Sequence, residues 1–524
     1  MKIAPLLTSA VKAPVLAIVS AIFGLVLSAV LLLVNIGVHK MSGLDEGQVS
    51  QLVQSIARYL PFIFGLGGFA AAFLTDAPLS AVFGTARWAS PGELKKLGTS
   101  GNGLLIGRDD MNGKLLRYVG PAHLLTMAPT RTGKGVGTII PNLLTADRSV
   151  ICIDPKGENA RITGRTRERF GPVHILDPFG VTGKHSAAYN PLYQLDPDGS
   201  DIADDASSLA DAIVFDEPGM AGDAHWNEEA KALISGLVLR IVVGEPPGRR
   251  SLATLRDYLT LPPDRFTRLL ADMQDTDAAS GLIARAANRH LGKSDREAAG
   301  VLSSAQRHTH FLDSPRMARV LDESDFSFAD LKRHNATVFL VLPPDRLSTY
   351  SRWLRLLITQ SLADMAREPA AAGRPVLYLL DEFAALGHLA PVERAMGLMA
   401  GYGVQLWPIL QDIHQLRATY GRRAGTFLSN TGVLQVFGVN DVETAELISR
   451  SVGKMDAQYL TRSWSEGKNS SSEHISARDL INPDEIMRLD RDQLILLRQG
   501  ERPARVRKLR YFTDPEFRGA FDPT

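Results

Sequence analysis

A chain of 524 residues with a single cysteine, Cys152, has no internal disulfide, and the run Val150-Ile151-Cys152-Ile153 reads as a buried strand around that thiol. The bulk of the chain has no need of an oxidising compartment, which suits the cytoplasm. Net charge is equally scarce, because 58 basic and 57 acidic residues leave +1. Such a balance carries no global nucleic-acid signature, so DNA contact must come from local patches or from a pore shared by several subunits. Nuclease-type metal clusters and nucleophile pairs are lacking, which argues against chemistry on DNA itself. What remains is ordinary for a globular protein, 45% apolar and 22% charged, and the length calls for two or three domains.

Charge is absent from Pro14 to Gly37. At the helical rise that stretch covers about 36 Å, enough to cross roughly 30 Å of hydrocarbon, and it is too long for the apolar part of a signal peptide. A second, Gly-rich run, Leu60 to Thr75, is bracketed by Arg58 and Asp76. Spans at about 14–37 and 60–79 give an N-terminal two-helix transmembrane region, residues 1–85, with Val38 to Tyr59 as the loop between them. Lys2 and Lys12 before the first span, and Arg87, Lys95 and Lys96 after the second, place both ends in the cytoplasm, as in a multi-pass inner-membrane protein.

His123 to Met127 reads as a short strand, followed by Ala128-Pro129-Thr130-Arg131-Thr132-Gly133-Lys134-Gly135-Val136 and an apolar stretch that opens a helix. Strand, loop and helix in that order form a phosphate loop: backbone amides and the positive helix end cradle phosphates, and Lys134 reaches the terminal ones. The match to G-x-x-x-x-G-K-[S/T] is imperfect. Ala128 replaces the first glycine, and Gly135 replaces the hydroxyl residue that binds magnesium, leaving the metal to a water or to Thr138 one turn on. The second half of a nucleotide site follows at Val376 to Leu380, an uninterrupted apolar run ending in Asp381-Glu382. Carboxylates at the end of a central strand suit metal binding by Asp381 and polarisation of a hydrolytic water by Glu382. A further strand, Val404 to Leu410, ends at Gln411, positioned to sense the terminal phosphate.

Other strand-like runs lie at Val150–Ile153, Val173–Leu176, Thr337–Leu342 and Val433–Val439, with helical patterns between them. That alternation predicts an α/β fold with a doubly wound parallel sheet. Strand signals are few between Asp177 and Thr337, and a gap of this size argues for an inserted all-α lobe, placed at 251–330, with 86–250 and 331–524 forming the nucleotide-binding domain. Trp226 reads as a residue through which that lobe packs against the motor, with stacking on a DNA base as the alternative. Arg285, Arg289 and Lys293 read as a solvated helix face, and Ser463 to Ser472 as a mobile loop that faces a pore.

Taken in order, these motifs resemble the coupling proteins of type IV secretion systems, the TraG/TraD-type conjugation ATPases. The resemblance rests on Ala128 to Gly135 with its Gly-Lys-Gly, Asp154-Pro155-Lys156-Gly157-Glu158, Tyr189-Asn190-Pro191-Leu192 and Leu380-Asp381-Glu382-Phe383. Gln411 with Gln415-Leu416, Asn430, Asn440-Asp441 with Thr444-Ala445, and Pro483-Asp484-Glu485-Ile486 complete it. It implies a RecA-like P-loop NTPase motor with an inserted all-α domain, ATP and Mg2+ as cofactors, and a homo-hexamer. It also implies delivery of single-stranded DNA with its relaxase, effector proteins, or both, to a secretion channel at the inner membrane. Ring ATPases also supply an arginine from the neighbouring subunit, for which Arg394, Arg422, Arg423 and Arg450 are candidates. Two other functions compete: a chromosome-partition DNA translocase of the FtsK type, and a docking receptor that uses nucleotide only as a switch.

Overall fold

The computed structural model describes residues 17–32, 34, 46–74, 82–98, 101, 103–215, 224–369, 374–465 and 468–523. The chain separates into two units, Met1–Thr85 with Met455–Arg478, and Ala86–Lys454 with Asp479–Thr524.

In the first unit, residues 17–32 form a helix that packs on the helix Glu46–Leu74. Small residues set the distance between them. A methyl group added at Gly24 would lie 2.8 Å from the Pro61 Cα, and one added at Gly65 would lie 3.5 Å from the Ala21 Cβ. Between these contacts the Ser28 hydroxyl lies 2.7 Å from both the Gly24 and the Ala57 carbonyl oxygens. Close backbone approach over small residues is how helices associate where apolar side chains face outward, as Ile22, Val26, Phe62 and Ile63 do here. The second helix starts at Glu46 and runs through Pro61, so residues 46–59, expected as a loop, are helical. Among the described residues no helix is long and apolar enough to cross a membrane. The outer parts of the expected spans, including residues 14–16 and 75–79, lie outside the described residues.

The same unit holds most of a two-stranded sheet, β10 (Lys454–Ser465) and β11 (Lys468–Asp479). Residues 463–472 are therefore strand rather than the expected mobile loop, with Glu466 and Gly467 outside the described residues. These strands also fall with the N-terminal helices rather than with the nucleotide-binding domain that the sequence reading assigned to 331–524. The Asp456 carboxylate fastens the base of this ribbon to the chain after the second helix, accepting hydrogen bonds from the N–H groups of Val82 (2.9 Å), Phe83 (2.8 Å) and Gly84 (3.1 Å).

The second unit is built on an eleven-stranded sheet of order β2-β1-β13-β12-β9-β3-β8-β7-β4-β6-β5. Its parallel half comprises β9 (Thr431–Val436), β3 (His123–Met127), β8 (Val404–Leu410), β7 (Val376–Leu380), β4 (Val150–Ile153), β6 (Thr337–Leu340) and β5 (Val173–Leu176). Burial on both faces explains their continuous apolar runs. Beyond β9 the sheet turns antiparallel through β12 (Gln493–Arg498), β13 (Ala504–Arg507), β1 (Leu104–Arg108) and β2 (Leu115–Tyr118). The sheet is thus mixed rather than wholly parallel.

Between β5 and β6 the described chain is helical, and the helical part begins earlier than residue 251. The helix Ala224–Gly244 packs on Leu252–Leu259, Leu282–Leu291 and Asp295–Thr309, and Ile202–Ile213 packs on Ala224–Gly244 and on Leu347–Arg367. A boundary at 251 would cut through that shared core. Trp226 packs on Gly300, where an added methyl would come within 2.6 Å of the indole. Arg289 and Lys293 are neutralised by Glu229 at 2.7 and 2.9 Å. Asn190, ahead of these helices, donates through its amide to the Arg250 and Asp322 carbonyl oxygens.

The helix contact in the N-terminal unit has a direct chemical check. A Cβ separation of 3.5 Å falls in the range that a disulfide spans, so the Ala21→Cys, Gly65→Cys double variant should close a bond under mild oxidation. Since Cys152 is buried, thiol labelling should then vanish. Persistent labelling of both introduced cysteines after oxidation would exclude this packing.

Candidate nucleotide-binding site

Four strand ends meet where the chemistry is expected. β3 runs into the loop at Ala128, whose N–H donates to the Leu410 carbonyl at the end of β8 (2.9 Å), so Gln411 begins beside the phosphate loop. β7 follows β8 in the sheet and ends at Asp381, and β4 follows β7. In that register Ile153 pairs with Leu380, which places Asp154 beside Asp381.

Lys134 is buried, and its Nζ lies 3.2 Å from the Glu382 Oε1. The two residues that the sequence assigned to phosphate binding and to water activation therefore touch. Glu382 adopts φ 49° and ψ 42°, the left-handed region, which costs a residue with a Cβ and aims its carboxylate back toward the loop. Asp381 is more enclosed. Burial, together with the Glu382 charge and against the pull of Lys134, pushes its carboxyl up to about 6. Asp154 is likewise pushed up to about 6, mainly by burial, although it accepts a hydrogen bond from the Ala160 N–H (2.8 Å).

The loop fits a polyphosphate. The backbone N–H groups from Thr130 to Lys134 donate no hydrogen bond among the described residues, leaving five donors around one turn, Arg131, Gly133 and Lys134 among them. Gly133 has φ +97°, which a side chain would strain. A Cβ built at Gly135 meets nothing within 4 Å, so the space where related loops carry a hydroxyl is open. Thr138 does not fill that role. Its buried hydroxyl donates to the Gln435 Oε1 (3.3 Å) in a chain that continues to Thr126 and the Trp407 indole. No group of three or more His, Cys, Asp or Glu capable of holding a metal occurs among the described residues. Asp381 alone fits an ion such as Mg2+ that takes few protein ligands and completes its shell with phosphate oxygens and water.

Sequence reasoning missed the outer wall of the site. A cleft of about 930 Å³ opens beside Arg131, Thr132, Gly133 and Val136, facing residues 487–491 and 508–512. Lys508, just past β13, donates from Nζ to the Thr132 carbonyl oxygen (2.8 Å) and is held over the Phe437 ring at 5.0 Å. A trans peptide points C=O and N–H in opposite directions, so this bond turns the Gly133 N–H away from Lys508. Asp154 was legible as part of a motif, whereas Lys508 lies 376 residues from its partner and carries no local signal. Gln411 is positioned by Gln415, whose side chain accepts its N–H (2.9 Å), while Thr444 accepts from the Ile413 N–H (3.1 Å). Among the arginine candidates, Arg423 pairs with Glu393 and Arg450 with Glu446, whereas Arg394 and Arg422 make no ion pair among the described residues.

The geometry has counterparts among known proteins. TraG, a conjugal transfer protein of Escherichia coli, is 30% identical over 456 residues, covering 78% of this chain and 71% of that one. Protein VirD4 of Agrobacterium fabrum is 30% identical over 465 residues, covering 84% and 67%. The bacterial conjugative coupling protein TrwBΔN70 shares the fold with a TM-score of 0.64 at 19% identity, over 85% of this chain and 97% of that one. TrwB has also been solved in complex with ADP and Mg2+, with a TM-score of 0.61, 19% identity and coverage of 86% and 99%. The sequence pattern of the type IV secretory system conjugative DNA transfer family matches residues 87–522, and the chain belongs to that family of coupling proteins.

Proposed function

We propose that this chain is an inner-membrane ATPase that uses ATP hydrolysis to deliver substrate to a type IV secretion or conjugation channel. The observation that carries this reading is the meeting of Lys134 and Glu382 at the ends of two strands separated by the Gln411 strand. Family membership and the TrwB complex with ADP and Mg2+ support it. The cargo is a relaxase-bound single DNA strand, effector proteins, or both. The apolar outer faces of the two N-terminal helices anchor the chain in the bilayer, with the motor in the cytoplasm and six copies forming a ring.

The chemistry follows from the side chains. The N–H groups of Arg131, Gly133 and Lys134 bind phosphate oxygens, and Lys134 exchanges the Glu382 carboxylate for the terminal phosphates. Glu382, released, accepts a proton from the attacking water, which breaks the bond between the β- and γ-phosphates and leaves ADP and phosphate. Asp381 would hold Mg2+, which would supply charge neutralisation on the transferred group. Gln411, adjoining the loop, registers loss of the γ-phosphate and shifts the segments beyond β8.

Lys134→Ala and Glu382→Gln should each lower ATP hydrolysis by roughly 10²–10³ without altering membrane insertion. Only Lys134→Ala should lose nucleotide affinity, because Glu382→Gln frees the ammonium. Phosphate release and fluorescent-nucleotide binding measure both, and wild-type turnover in the two variants would exclude the site. Lys508→Met should weaken ATP and ADP binding by about tenfold, the value of one charge-assisted hydrogen bond, with Lys508→Arg restoring part of it. Unchanged affinity in Lys508→Met would remove Lys508 from the site. A proton on Asp381 competes with the metal below about pH 6 and is gone above it. Mg2+-dependent hydrolysis should therefore be full at neutral pH and fall as pH drops through about 6, approaching tenfold per unit. A flat rate from pH 7.5 to 5 would show that this carboxyl does not hold the ion.

A further inference from the structure

Arg355, on the helix Leu347–Arg367, is a buried cation without a carboxylate. Only 4% of its surface is exposed, and it forms no ion pair among the described residues. Its Nη1 donates to the Leu386 (2.8 Å) and His388 (2.6 Å) carbonyl oxygens, and its guanidinium lies 3.8 Å from the centre of the Phe215 ring. The Nε is buried with no hydrogen-bond partner, as is the Thr359 Oγ1 one helical turn on. Burial draws the Arg355 guanidinium down to about 10, with no carboxylate among the charges that act on it. Buried charges are ordinarily paired, because desolvation of a lone ion costs several kcal/mol.

The charge lines a cavity. Arg355 and Thr359 face a pocket of about 360 Å³ whose walls include Phe215, Leu389, Pro391 and Arg394. Arg394 is exposed and also lacks an ion pair among the described residues. Of the other basic side chains at the pocket, Lys231 lies 3.2 Å from Asp211 and His388 lies 3.3 Å from Glu393. The pocket therefore offers two guanidinium groups without counter-ions, a free hydroxyl and apolar walls, in a volume suited to a small molecule rather than to a folded partner.

We propose that this pocket, between the helical insert and the segment His388–Arg394, binds a small organic anion through a single carboxylate or phosphate group. The oxyanion pairs with Arg355 and Arg394 and accepts the Thr359 hydroxyl, while its apolar body lies against Leu389 and Pro391. Arg355 also holds the turn that follows Glu382, so an occupant of the pocket contacts the same guanidinium that fixes the backbone beyond the acidic strand.

The test uses the full chain in detergent micelles, titrated calorimetrically with benzoate and, separately, with phenyl phosphate. These probes share an apolar body and distinguish the carboxylate source from the phosphate source. Binding of at least one is expected below about 10 mM, weakened about tenfold in Arg394→Gln and more in Arg394→Glu. Binding should persist in Lys134→Ala, which separates this pocket from the phosphate loop and keeps the result independent of whether the chain hydrolyses ATP. Arg394 lies at the surface, so both of its variants should keep the wild-type melting temperature. The proposal is overturned by absence of heat with both probes, by binding that survives Arg394→Glu, or by binding lost in Lys134→Ala.

Discussion

A lysine ammonium buried beside a phosphate loop needs negative charge close by, and in this protein Glu382 supplies it. The arrangement of the rest of the site follows from that need. Lys134 is fixed by the turn out of β3, Glu382 by a left-handed turn out of β7, and the two strands are spaced by β8. A polyphosphate entering the loop would compete with the Glu382 carboxylate for the Lys134 ammonium. The enclosure that makes the pair necessary also pushes Asp381 up, since three charged groups share little solvent.

The sheet spreads this local arrangement across the second unit. The Thr138 hydroxyl, on the first turn after the loop, is tied through Gln435 and Thr126 to the Trp407 indole, so β9, β3 and β8 share one buried polar chain. Such a chain has no slack, because any member that moves leaves a buried donor or acceptor without a partner. Displacement of the loop is therefore felt on β8, the strand that ends at Gln411. On the opposite side Arg355, on the helix that follows β6, holds the turn after Glu382 through two carbonyl oxygens.

Much of this was legible in the sequence, for a clear physical reason. Strands buried on both faces need unbroken apolar runs, and the seven parallel strands show such runs or nearly so. Lys134, Asp381 and Glu382 were legible because loop and strand-end chemistry are written in consecutive residues. The antiparallel half was not. β13 is four residues of alternating burial, Ala504-Arg505-Val506-Arg507, a pattern too short to stand out from a polar loop. The stretch 454–479 is rich in serine and charge and lacks hydrophobic alternation, so its pairing depends on backbone hydrogen bonds that no side-chain pattern announces. Ala224–Gly244 lies in the long interval with few strand signals, but its membership in the insert depends on which helices it touches. Thr138 was assigned by spacing along a regular helix. The turn there is instead a wider π-helical one, and its hydroxyl is taken by Gln435.

The bond from Lys508 to the Thr132 carbonyl also bears on how the protein is made. The two residues are 376 positions apart, and β1 likewise finds its partner β13 only from the far end of the chain. At ordinary rates of translation that interval amounts to tens of seconds. Through it the phosphate loop exists without the lysine that orients its peptide, and the sheet lacks its closing strands. The N-terminal helices have by then long left the ribosome. The loop thus acquires its final geometry only after the last strands of the second unit have emerged.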